Sequence, residues 1–344
     1  MHESKIRERL RAAVGESSFP PSLSSRIAIQ LKHPPAHSQH LRAIALVAAL
    51  LAVAIVASLV VGVHALRPKE SPVTPPQDHS SLHIYWSNLV TDTIGRANVD
   101  GTGVNQRFIT GVSGPTDVAV DGSHIYWANA GDSANGTTIG RANIDGTGVN
   151  QSFITGATEP GSVAVDGSHI YWANYDHGAG TTIGRANIDG TGVNQRFITG
   201  ANVPGGIMVD STYIYWANWN GTSIGRARLD GTGVNENFIT VTYGPGGVAV
   251  EGSYIYWSNS GNSNEGTKIG RANLDGTGAN ESFITGVKGP NDIDVDASYI
   301  YWTDWGLYTS NGTTIGRANL DGTGVNLKFI TGAAGPSGLA VEQP

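Results

Sequence analysis

His124-Ile125-Tyr126-Trp127-Ala128-Asn129 decides the fold of this chain, because the sequence writes its Ile-Tyr-Trp six times. Trp86, Trp127, Trp172, Trp216, Trp257 and Trp302 each follow Ile-Tyr, at separations of 41, 45, 44, 41 and 45 residues. A period near 40–45 with strand-forming content predicts propeller blades. Around Trp127 lie four strand candidates: Val118-Ala119-Val120, His124–Trp127, Thr138–Ala142 and Gln151–Thr155. Asp145-Gly146, between the last two, is a hairpin signal. Four antiparallel strands per unit and six units predict an all-β, six-bladed propeller of four-stranded blades.

The ends fit a closed ring. The repeat region starts at a second strand, Leu82–Trp86, and finishes at a first strand, Gly338–Val341. The C-terminal strand therefore completes the first blade, which leaves no free blade edge.

The copies differ in one place. From Ile94 to Asn129, and from its equivalents onward, the step is always 35 residues. Between each motif Asn, or Asp304 in the sixth copy, and the next Ile it is 5, 9, 8, 5, 9 and 10 residues. This strand 2–3 loop shares a face with the strand 4–1 links, since strand directions alternate. The Asp-Gly turns occupy the opposite, invariant face. Variation among copies suits a contact surface, and exposed Trp and Tyr are common anchors. The candidate ligand-binding residues are Asp117, Tyr175, Asp176, His177, Trp219, Tyr243, Asp292, Trp305 and Tyr308. For Trp219 and Trp305, capping of the blade is an equal alternative.

Composition agrees. Gly numbers 47 and charged residues are 14%, a turn-rich β profile. Cys is absent, which removes disulfides and thiol chemistry. Residues 1–66 carry 7 basic and 3 acidic groups, and the rest carries 14 and 25. So acidic a domain repels nucleic acid. Residues 43–66, Ala43 to Leu66, hold no Asp, Glu, Lys or Arg. Their 24 residues suffice for a transmembrane helix. Seven Lys or Arg precede them, which predicts a cytoplasmic N-terminus. A signal peptide cleaved near Val63-His64-Ala65 is the competing reading. The expected order is a basic cytoplasmic tail (1–42), a transmembrane helix (43–66), a Pro-rich linker (67–80) and an extracytoplasmic propeller (81–344), monomeric and at the cell membrane.

Chemistry-bearing patterns are few. His83, His124 and His169 occupy one repeat position on different blades and cannot converge. Asn319–Gly324, with its Asp-Gly-Thr-Gly, reads as a turn rather than a calcium loop. The repeated Arg (96, 141, 185, 226, 271, 317) reads as a structural ion pair. Asp294 replaces an Ala of the innermost strand, and such a charge needs pairing or a channel. With Asp117 and Asp292 it is the weak candidate for a bound cation, against local pairing. No cofactor is expected.

Tyr301-Trp302-Thr303-Asp304, then Ile315 to Gly322 and Pro336 to Val341, resemble the low-density lipoprotein receptor class B repeat over residues 81–344. The other copies place Ser or Ala for Thr and Asn for Asp. Without cysteine there is no epidermal-growth-factor-like module, so animal receptor function is not implied. The Asn-rich copies look like a bacterial-type, membrane-anchored relative. The variable face leads to the expectation of a binding propeller whose protein or glycan ligand touches that face. Gly-Pro and Ile-Gly-Arg also resemble propeller lyases of the streptogramin-lyase type. Those need a His and a Glu near the channel mouth, where only His177 and, one link away, Glu159 offer themselves. A third reading is a sensor signalling through residues 1–42.

Overall fold

The structure, a computed structural model, describes residues 82–131, 136–260, 267–305 and 312–343. These form twenty-four strands in six four-stranded sheets. The ring closes as expected. β1 (His83–Asn88), β2 (Thr93–Asn98) and β3 (Asn105–Thr110) share a sheet with β24 (Pro336–Val341), in the order β24-β1-β2-β3. Ile84 pairs with Val341, Tyr85 with Ala340 and Trp86 with Leu339. The anchor segment Ala43–Leu66, the tail and the linker lie outside the described residues. Among the described residues no helix is long and apolar enough to cross a membrane.

The Ile-Tyr-Trp strand is buried almost throughout, as expected of a strand packed on both faces by neighbouring blades. All six motif Trp side chains are at most 1% exposed. Each faces a Gly on the next strand; a Cβ at Gly140 would come 2.1 Å from Trp127 Cε2. That close approach explains the Gly of every Ile-Gly-Arg.

The motif Asn is a three-way connector. Asn129 Nδ2 donates to Thr138 Oγ1 and to Gln151 O, each at 3.0 Å, while its Oδ1 accepts from Ser113 N. An Asp could not donate, which accounts for the departure from Tyr-Trp-Thr-Asp in five copies.

The invariant face is devoted to blade packing. In each Asp-Gly-Thr-Gly turn the Asp accepts from the Thr, as at Thr147 N (2.9 Å) and Thr147 Oγ1 (2.6 Å) on Asp145. The first turn Gly packs on a Phe of the preceding blade, as Gly146 does on Phe108.

The repeated Arg corrects an expectation. Arg141 lies over the Phe153 ring at 3.9 Å, and every equivalent Arg does likewise on its own blade. Arg185, Arg271 and Arg317 also donate to a carbonyl of the next blade. The guanidinium is held by a ring and backbone dipoles rather than an acid.

Candidate functional site

Six innermost strands line the channel: β4 (Pro115–Val120), β8 (Pro160–Val165), β12 (Pro204–Val209), β16 (Pro245–Glu251), β20 (Pro290–Val295) and β24. Each slips register just after its proline. Such bulges re-aim side chains. Here the residue following each proline lines one cavity of about 200 Å³ on the variable face: Thr116, Gly161, Gly205, Gly246, Asn291 and Ser337.

The aromatic wall comes from the position after the motif Asn. The N–H of Tyr175 donates to Glu159 O, that of Trp219 to Val203 O and that of Trp305 to Gly289 O. These bonds prolong the strand pairing and bring the three half-buried rings to the cavity. A Cβ at Gly161 would stand 3.3 Å from Tyr175 Cβ, and one at Gly205 3.6 Å from Trp219 Cβ. Glycine in the bulge therefore accompanies an aromatic above it on these two blades.

The acid residues sit deeper. Asp117 is 6% exposed and reaches the next blade, where its Oδ2 accepts from Ser162 Oγ and Val163 N. Ser162 Oγ repeats this one blade on, accepting from Ile207 N at 3.0 Å. Asp292 Oδ2 accepts from Leu339 N at 2.9 Å, and Asp294 Oδ2 from Val341 N at 2.8 Å. The equivalent positions on β12, β16 and β24 are Gly206, Gly247 and Gly338. Over Gly338 the carboxyls of Asp117 and Asp292 meet side chain to side chain. Two carboxyls in contact resist ionising together. Burial pushes Asp117 up to about 7, against the pull of Ser162 and two backbone N–H groups. Burial, then the Asp117 charge, pushes Asp292 well above the usual carboxylate range. Asp294 is likewise pushed by burial to about 7. Asp294 Oδ1 also accepts from Val295 N at 2.8 Å, so both its oxygens take backbone N–H groups. Among the described residues no group of three His or acidic side chains is arranged to hold a metal ion.

Asp117, Tyr175, Trp219, Asp292 and Trp305 thus line one cavity. Asp176 and His177 stand beside it in a single 3₁₀ turn, Asp176–Gly178, and Tyr243 is half-buried in the link before β16. Tyr308 lies outside the described residues.

Glu159 is the residue the sequence undervalued. It is 8% exposed, lines the cavity and accepts from the His177 N–H; His177 Nδ1 lies 3.3 Å from its Oε2. Glu159, Asp176 and His177 have φ of 46°, 47° and 52°. Such values are uncommon outside Gly and concentrate at functional sites. Glu159 occupies the pre-proline position that is Gly114, Gly289 and Gly335 elsewhere, all with positive φ. That substitution was the available signal.

No family model matches the chain, and none of the curated proteins does. Solved structures share its fold. The chain is similar to one in the crystal structure of a nidogen/laminin complex, at 20% identity and TM-score 0.60, over 76% of this chain and 98% of that one. It is similar to a gluconolactonase from Xanthomonas campestris at 16% identity and TM-score 0.51, over 64% and 78%. A protein of unknown function from Bacteroides caccae aligns at 11% identity and TM-score 0.53, over 76% and 98%. At these identities the likeness shows the fold alone.

Proposed function

We propose that the propeller is a binding module whose ligand enters the variable-face mouth, with residues 43–66 holding it at a membrane. The observation that carries this is convergence. Two Trp and one Tyr, from three different blades, line one cavity floored by backbone and closed at depth by acids. Concave sites with aromatic walls and a few placed polar groups are the usual form of ligand pockets. The invariant face is taken up by blade packing and offers no such variety.

Glycan and peptide arrays probed with the full chain test this. Captured species should be lost with Trp219→Ala and Trp305→Ala and kept with His177→Ala. Capture unaffected by both Trp substitutions would refute it.

The His177–Glu159 contact favours a second reading, a lyase or hydrolase. A buried acid orienting a largely exposed imidazole is general-base geometry. Turnover of an array hit that His177→Ala abolishes, with capture intact, would select this reading. Signalling through residues 1–42 would instead require a cytosolic partner for that tail.

A further inference from the structure

We infer that the mouth cavity takes an organic cation, an ammonium group carried on a flat apolar body. This rests on the binding reading above and names its ligand class.

The cavity has two unlike sides. Blade order places Tyr175 and Trp219 on the third and fourth sheets of the ring, counting from the sheet of β1. Asp117 and Asp292 flank the first sheet, over Gly338. The fourth sheet lies across the ring from the first. A ligand spanning the mouth therefore meets two rings at one end and, at the other, the acid pair beside Trp305, which follows β21 (Tyr299–Asp304) in the sheet that carries Asp292. Its third acid, Glu159, is buried beside Tyr175, where burial and that carboxylate push the phenol up.

Sign decides the class. Three carboxyl groups line the cavity, and its described lining contains no Lys, Arg or His. An anion would face uncompensated repulsion in a partly desolvated site. A neutral sugar could stack on the rings but would leave the acid pair as it is. A cation gains twice, from the carboxyls and from the ring faces, where desolvation strengthens cation–π contacts. The cavity volume of about 200 Å³ suits a small group or one side-chain terminus rather than an oligosaccharide.

The ionisable groups facing the pair are Asp294, itself beside Asp296, and on the cavity wall Glu159 and Tyr175. Burial and mutual repulsion favour the neutral form of this pair, and a cation entering here favours its ionised form. Affinity should therefore rise with pH, whereas stacking alone would be indifferent to it.

Three probes of similar shape test the inference on the full chain, followed by tryptophan emission: benzylammonium, benzyl alcohol and benzoate. Benzylammonium should bind at least tenfold more tightly than benzyl alcohol at pH 8. The ratio should shrink towards pH 5, and benzoate should not bind. Asp292→Asn should remove the pH dependence; should that variant fail to fold, the three-probe comparison on the unaltered protein still decides. Equal binding of the alcohol, or binding of benzoate, overturns the cation class and leaves the mouth as the site. Silence from all three probes overturns the cation class. If the arrays also capture nothing through the mouth, the binding reading falls with it.

Discussion

At the scale of the residue, the scaffold depends on close approach. Gly140 faces the Trp127 ring so closely that an added methyl has no room, and the ring sits in a packed interior at 0% exposure. Gly140→Ala should destabilise the propeller by about 1–3 kcal/mol, the range for overpacking, measured by chemical denaturation. An unchanged midpoint would mean that the ring can yield. Much at this scale was legible, because repetition shows which positions tolerate no change. What repetition hides is the partner. The repeated Arg predicts an ion pair, yet each of the six lies on a Phe that is brought beside it by a register slip between the third and fourth strands. Glu159 and His177 were read as one link apart, and they touch because their positive φ values fold the turn back on the link. Neither a slip nor a left-handed residue announces itself in a strand pattern.

At the scale of the element, β24 is the strand to watch. It enters the ring last in sequence, and its N–H groups at Leu339 and Val341 are taken by Asp292 and Asp294 of the neighbouring blade. The two charges that broke the apolar pattern of β20 thus clamp the closing strand, a use that needs the ring to be seen. It has a cost in pH. Burial pushes the carboxyls of Asp117 and Asp294 up to about 7 in the fold, from 3.8 as free side chains. Groups raised in this way favour the fold while protonated. Their contribution is complete below about pH 4 and is lost as pH rises through about 7. The melting temperature should therefore fall between about pH 4 and pH 7 and level off above, and Asp294→Asn should flatten that fall while keeping an acceptor for Val341 N. A variant with the same slope would remove Asp294 from this account.

At the scale of the whole molecule, six copies specify a disc and one variable connection per copy specifies its face. Removing residues 336–344 takes away β24, the strand that joins the two ends in one blade. The truncated protein should melt far lower than nine terminal residues ordinarily warrant, because a closed ring would become an open one with a bare inner edge. The blade count, the closure and the loop-bearing face were all readable from spacing. The cavity was not, since it depends on a bulge at each proline that aims otherwise ordinary residues inward. The distribution of tryptophan then offers the most direct measurement. Of the eight, six are core residues at 0–1% exposure, and Trp219 and Trp305 line the mouth. In the fluorine NMR spectrum of protein labelled with fluorotryptophan, titration with a captured ligand or with benzylammonium should move the Trp219 and Trp305 resonances and leave the six core resonances in place. Saturable binding that leaves both mouth resonances unmoved would contradict the assignment of the ligand site to this face.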